Sequence, residues 1–286
     1  MLNVSMLGQS ISIDCPDPDA HALMESGFAA MLRENVATGI PTTELNYQVR
    51  REASGPNYLI VRSDGLVLPA SGAGEAAIAV ESDIILELQR RRPDLCFIHA
   101  AALEHNGKAW LLAAESGAGK STTAWGLLHH GFRYLTDEFS PIDLDSLQVH
   151  PYPYALSFKT QPPEAYPLPE GALDLGPVVH LPTRCLPSPP IHEQIPVAGV
   201  FLLDYRPDRS HPAVRRLSVA EASARLYITV LNALAHSRCG LDAVVRIAEN
   251  MPCFALATAD LGATCRLIAA TVADCEPSAL AHGHTA

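Results

Sequence analysis

Eight residues constrain this chain more than any other part of it: Ala114-Glu115-Ser116-Gly117-Ala118-Gly119-Lys120-Ser121. They match the pattern G-x-x-x-x-G-K-[ST] at every defined position except the first, where Ala114 stands for Gly. A strand-like run, Trp110-Leu111-Leu112-Ala113, precedes them and a helical run follows, which is the context the pattern requires. Gly117 and Gly119 let backbone N–H groups turn inward onto phosphate oxygens with no Cβ in the way. The helix starting near Lys120 aims the positive end of its dipole at the anion. Lys120 supplies a point charge to the β- and γ-phosphates, and the Ser121 hydroxyl is placed to ligate Mg²⁺. Ala at position 114 is compatible with such a loop if its φ is negative. The pattern predicts a bound nucleoside triphosphate, ATP with Mg²⁺, held by Glu115, Ser116, Gly117, Ala118, Gly119, Lys120, Ser121 and Thr122.

Asp137 and Glu138 follow the short run Tyr134-Leu135-Thr136 directly after the predicted helix. A carboxylate at a strand end beside a phosphate loop holds Mg²⁺, often through water. Two adjacent carboxylates can divide the work, one orienting the metal and the other accepting a proton from an attacking hydroxyl. Ser121, Asp137 and Glu138 are therefore the predicted metal ligands; the alternative is a solvated acidic turn ahead of Pro141. His99 lies in the apolar run Cys96 to Ala102, where a lone histidine ordinarily reads as core. Lys159, Arg184 and Arg206 are candidate cations for ATP or for an acceptor, with surface solubility as the other reading; Lys159 alone is assigned to ATP.

The rest of the chain divides in texture near residue 95. Residues 1–94 read as a small α+β module: a strand over 3–13, a helix over 20–32, a strand over 44–51, a hairpin over 58–68 turning at Ser63-Asp64-Gly65, and a helix over 74–89. Arg90-Arg91-Arg92 falls in the last turn of that helix, where cations suit the dipole, and Pro93 closes it. Residues 95–276 read as the phosphate-loop domain, α/β or α+β. Its strands are predicted over 97–104, 109–114, 133–136, 197–204 and 253–258, and its helices over 121–130, 219–235, 241–249 and 261–273. Gly131 sits in the C-cap position of the first of these helices. The proline-rich stretch 151–196 reads as loop and extended backbone, and 277–286 as a disordered tail.

Composition removes several classes. With 48% hydrophobic and 18% charged residues the 286-residue chain can bury a sizeable core. A net charge of −11 disfavours a nucleic-acid partner. Seven cysteines, odd in number and without C-x-x-C, argue against a disulfide framework and a zinc site, and read as buried thiols. No signal peptide and no apolar run of membrane-span length is present, so the expected setting is the cytoplasm, with no membrane partner.

Taken together, His99-Ala-Ala-Ala, Asn106-Gly107-Lys108, Glu115 to Ser121, Gly131-Phe132-Arg133 and Asp137-Glu138 resemble the catalytic domain of HPr kinase/phosphorylase. They look closer still to the HPr-kinase-related kinases of bacterial gene clusters, which include lasso-peptide tailoring kinases. The family pattern places a histidine 120 − 99 = 21 positions before the loop lysine and an acidic pair 137 − 120 = 17 after it, and both spacings hold. The matched motifs cover about Phe97 to Asp143, with Ser157-Phe158-Lys159 as similar texture beyond. The resemblance implies a P-loop domain like the C-terminal domain of HPr kinase, and ATP-dependent phosphorylation of a serine on a peptide or protein. It makes Asp137 the general base, with His99 hydrogen-bonded beside it, Lys120 on the transferred phosphate, and Ser121 with Glu138 on Mg²⁺. It also allows a homo-oligomer. The chain departs from HPr kinase at Glu138, at Thr122 and in lacking a recognisable glutamate-arginine-glycine motif, which speaks against the reverse activity. Two other readings stay open: a nucleotide-binding switch or scaffold with little turnover, and a kinase for a small-molecule hydroxyl.

Overall fold

The computed structural model describes residues 1–33, 45–53, 55–205 and 209–275. The predicted tail over 277–286 and the cation Arg206 lie outside the described residues. The first layer is a five-stranded sheet in the order β1-β2-β3-β4-β5, formed by β1 (Leu2–Met6), β2 (Gln9–Asp14), β3 (Leu45–Arg51), β4 (Tyr58–Arg62) and β5 (Val67–Ala70). The single strand predicted over 3–13 is a hairpin instead. Leu7 and Gly8 both take positive φ, 48° and 74°, and reverse the chain there. The turn predicted at Ser63-Asp64-Gly65 does join β4 to β5, with Gly65 at φ 93°.

Two helices cover this sheet. α1 (Pro18–Phe28) starts at Asp17, whose side chain accepts from the Ala20 N–H, and it gives way to a 3₁₀ turn over Ala29–Met31 rather than continuing to 32. α2 (Ala73–Arg91) is fixed to β4 by a buried charge network. Arg62 meets Asp83 at 2.9 Å and Glu87 at 3.0 Å, while the Tyr47 hydroxyl donates to Asp83 at 2.7 Å. Burying those charges is tolerable because each has a partner. The arginine run is likewise engaged inside the fold. Arg90 and Arg91 pair with Glu87, and Arg92 binds Asp94 and the Leu7 carbonyl.

The larger layer is a nine-stranded sheet. Its strands are β6 (Leu95–Ile98), β7 (Ala100–His105), β8 (Lys108–Ala113), β9 (Arg133–Thr136), β10 (Ser140–Asp143), β11 (Gln148–Val149) and, later in the chain, three more. The run predicted as one strand over 97–104 breaks at His99. β6 pairs with β10, while β7 pairs with β8 and β9, and the His99 N–H donates to the Thr229 carbonyl at 2.7 Å. α3 (Lys120–Leu128) follows β8 and stops before Gly131, which takes φ 86°. The stretch 151–196 is not loop alone. β12 (Leu156–Phe158), β13 (Leu173–Asp174) and β14 (Val179–Leu181) form a third sheet in the order β12-β14-β13.

β15 (Ile195–Tyr205), β16 (Ala213–Arg216) and β17 (Cys253–Thr258) complete the large sheet, with α4 (Val219–Tyr227), α5 (Leu241–Asn250) and α6 (Leu261–Cys275). The long helix predicted over 219–235 ends at Tyr227. Beyond it the backbone serves as cover for β6: the Leu231 N–H donates to the Phe97 carbonyl, and the Asn232 side chain bonds both the Phe97 N–H and the Leu95 carbonyl. Those bonds are lost if the helix continues.

Alternation along the central strands divides the core. Trp110 and Leu112 of β8, Phe201 and Leu203 of β15, and Phe254 and Leu256 of β17 pack on one face with residues of α3 and α6. Leu111 and Ala113, Val200 and Leu202, and Cys253 pack on the other with residues of α4 and α5. Each such aromatic or branched side chain contributes about 1.5–3 kcal/mol when fully buried. A third cluster lies under the N-terminal sheet and takes in Phe97, Phe139, Tyr152, Tyr154 and Leu175. All seven cysteines are free; four are buried, Cys185 is half-buried, and Cys239 and Cys275 are exposed, against the expectation that all lie in the core. Among the described residues no helix is long and apolar enough to cross a membrane.

Candidate functional site

Strand direction gathers the predicted residues. β8 runs parallel to β15, and β15 parallel to β17. β7 is antiparallel to both β8 and β9, so β9 also runs with β8. The carboxyl ends of these four strands lie along one edge, where open α/β sheets bind ligands. β9 leads into Asp137-Glu138, β8 into the glycine loop, β15 ends on Tyr205 and β17 on Thr258.

The loop has the geometry its glycines predict. Gly117 and Gly119 take φ 86° and 85°, a region that L-residues with a Cβ rarely adopt. Ala114 is not among the positive-φ residues, so alanine is accommodated there. Gly119 is the N-cap of α3, and Lys120 is its first residue.

Lys120 is buried, and its ammonium group makes three hydrogen bonds. They reach His99 Nε2 at 2.8 Å, the Ala114 carbonyl at 3.1 Å and the Glu115 carbonyl at 3.3 Å. An ammonium has only protons to offer, so His99 Nε2 must be the acceptor. Nδ1 then carries the ring proton and donates to the Glu138 carbonyl at 2.9 Å. Burial pushes the His99 pKa down and the Lys120 charge pushes it further, which keeps the ring neutral. Burial also lowers the pKa of Lys120, opposed by Asp137 and Glu138. His99 therefore meets Lys120 and the Glu138 backbone, not the Asp137 carboxylate as the resemblance implies. The break before β7 turns its ring toward the loop lysine instead.

Asp137 is 3% exposed. Its Oδ2 accepts from the Ser121 hydroxyl at 2.8 Å and from the Ser157 N–H at 3.4 Å, while its Oδ1 is buried without a partner. Burial, then the charge of Glu138, pushes its pKa up to about 7 against those hydrogen bonds. A carboxyl poised near neutrality with an unengaged oxygen can accept a proton or a cation.

One cavity of about 90 Å³ is lined by His99, Ser116, Gly117, Gly119, Lys120, Ser121, Thr122, Asp137, Glu138 and Lys159. Lys159 reaches Ser116 Oγ at 2.6 Å. Glu115 and Ala118 are not in its wall and line a neighbouring cavity instead. Arg184 is elsewhere: it donates to Ser26 Oγ at 2.5 Å and ties 3₁₀ turn 183–185 to α1. Ser157 was not predicted; its placement beside Lys159 in Ser157-Phe158-Lys159 is the one sequence signal that could have found it. Among the described residues no group of three or more His, Cys, Asp and Glu side chains could hold a metal alone. Ser121, Asp137 and Glu138 fit Mg²⁺ nonetheless, because that ion characteristically takes one or two carboxylates and completes its shell with phosphate oxygens and water.

No family model and no curated protein matches this chain. A solved structure, the Hpr(Ser) kinase/phosphatase from Coxiella burnetii, is similar over 62% of this chain and 94% of its own, at 14% identity and a TM-score of 0.31. At that distance the functional reading rests on the residues above.

Proposed function

We propose that this chain is an ATP-dependent kinase that transfers the γ-phosphoryl group to a serine hydroxyl of a peptide or protein. The observation that carries the reading is Asp137: a buried carboxyl that lines the same cavity as Lys120, with one oxygen on Ser121 and the other without a partner. In this reading the loop N–H groups and Lys120 hold the phosphates. Asp137 takes the proton of the acceptor hydroxyl as its oxygen bonds to the γ-phosphorus. The bond from that phosphorus to the β–γ bridging oxygen breaks, and ADP leaves with that oxygen. Mg²⁺, held by Ser121, Asp137 and Glu138, supplies charge neutralisation when bound. His99 keeps Lys120 in place through the bond to Nε2, and its own tautomer is set by the Glu138 carbonyl. Serine on a peptide or protein as acceptor follows from the family resemblance of the motifs.

The test is Asp137→Asn. Asparagine preserves shape and the Ser121 bond but cannot accept the proton. The variant is expected to keep ATP on the loop, with weaker Mg²⁺ affinity because a charged ligand is lost, and to lose transfer by at least about 100-fold, the scale of general-base catalysis. Labelled ATP incubated with a lysate of the source cells reads transfer directly. Equal labelling by both proteins removes Asp137 from the base role. Binding without labelling by the parent favours the switch or scaffold reading, and a labelled metabolite favours the small-molecule kinase.

A further inference from the structure

Between β12 and β13 the chain runs through residues 159–172 with neither helix nor strand. The first two residues of this strap, Lys159 and Thr160, line the cavity of Asp137 and Lys120. Lys159 is exposed, and its ammonium group reaches Ser116 Oγ at 2.6 Å. Holding a long lysine in one place costs rotamer entropy, so its charge is useful there only if the backbone beneath it is fixed.

Tyr166 supplies that hold, at the other end of α3. Its carbonyl accepts from Trp125 Nε1 at 2.9 Å, and its hydroxyl meets His130 Nε2 at 3.0 Å. The His129 ring stands edge-on to both aromatic rings of the clasp, 4.4 Å from Trp125 and 5.6 Å from Tyr166 between centroids. α6 closes over the same hydroxyl: a Cβ on Gly262 would lie 3.2 Å from it. Leu168 adds apolar packing against the same core. α3 has nine residues, about 13 Å of helix, so the strap spans it from the phosphate loop to its last turn. The backbone between the two contacts is stiff. Pro162 and Pro163 fix φ, and the Tyr166 N–H donates to the Pro163 carbonyl at 2.8 Å. A displacement at Tyr166 is therefore passed toward Lys159 rather than absorbed on the way.

We infer that Tyr166 is a positioning residue, clasping the strap to the end of α3 so that Lys159 stays over the phosphate loop. It acts through Lys159 and touches no reacting atom. This rests on the phosphate-loop reading given under Proposed function.

The experiment measures binding of a β,γ-imido ATP analogue with Mg²⁺ to the full chain by calorimetry. Lys159→Ala is expected to weaken it about tenfold or more, the scale of a charge-assisted contact. Tyr166→Ala is expected to weaken it about three- to tenfold through misplacement. The double variant is expected to bind no more weakly than Lys159→Ala alone, because the two residues share one route. Tyr166→Phe keeps the ring and the carbonyl bond and leaves His130 to water, so it is expected to stay within about twofold of the parent. His129→Ala, at an exposed position, removes a ring of the clasp from the side of α3 and is expected to weaken binding in the same direction as Tyr166→Ala. Hydrogen exchange is expected to quicken over 159–172 in Tyr166→Ala and to stay unchanged in the central strands, which a general loss of stability would not produce. Binding like the parent's in both Tyr166→Ala and His129→Ala overturns the clasp while the loop reading stands. So do losses that multiply in the double variant, an unchanged Lys159→Ala, or exchange that quickens throughout the chain. If the parent binds no nucleotide, the loop reading fails, and the clasp with it.

Discussion

Asp137 carries two demands that pull its proton affinity in opposite directions. Binding a cation favours the carboxylate, while burial beside Glu138 disfavours it and brings the pKa to about 7. The sign of the consequence follows from linkage. The unfolded chain releases this proton near the ordinary value of 3.8 and the folded chain only near 7. Between those values, rising pH favours the unfolded chain, and above about 7 the full penalty stays. Without Mg²⁺, Asp137→Asn is therefore expected to be more stable than the parent at pH 8, with the advantage shrinking toward pH 4; urea melts at both pH values check it. A variant less stable than the parent at pH 8 contradicts the assigned burial. At this scale much of the candidate site was legible in the sequence, because the loop spacing and strand-end acids impose local geometry. His99 on Lys120 was not. That contact depends on where a strand breaks, and the break is decided by pairing with β10 on one side and β8 on the other. Ser157 left only its place in the run Ser157-Phe158-Lys159, since a backbone N–H has no sequence signature of its own.

Elements were readable where periodicity was local and misread where tertiary hydrogen bonds decide. α2, α5 and β17 fall within about two residues of their predicted bounds, a customary boundary uncertainty. The segment after α4 has helical composition, but Asn232 and Leu231 bond the β6 edge instead. The three strands within 151–196 are two or three residues long, too short for alternation to register among prolines. One contact between elements is sharp enough to test. A Cβ on Gly74, near the start of α2, falls 2.4 Å from the Leu175 carbonyl oxygen and 2.8 Å from its Cα. Both are backbone atoms, which give less readily than the end of a side chain. Gly74→Ala improves helix propensity yet is expected to destabilise the protein by about 1–3 kcal/mol, as overpacking does. Thermal melts of the two proteins check it, and a variant as stable as the parent contradicts the crowding.

At the scale of the molecule, the division expected at residue 94 falls within one packed cluster. Val80, Ile84 and Leu88 of α2 share it with Phe97, Phe139, Tyr152 and Tyr154, all buried. A chain of 95–286 alone loses the side chains of α2 and the N-terminal sheet that complete this cluster, and an isolated domain does not leave such an apolar face in water. The full chain is expected to unfold in one calorimetric transition, and the truncated chain to aggregate or lack a cooperative melt. Two separate transitions, or a soluble cooperative 95–286 fragment, would establish independent modules.

The shared direction of β8, β9, β15 and β17 also gives the sheet a handle. The Asn106–Gly107 turn joins β7 to β8 at the end of β8 remote from the glycine loop. Six residues of strand separate the two, about 20 Å at strand rise. A dye or surface tether placed at Gly107 presents the whole ligand edge to solution, so single-molecule or immobilised assays can watch ligands arrive from the face opposite the attachment.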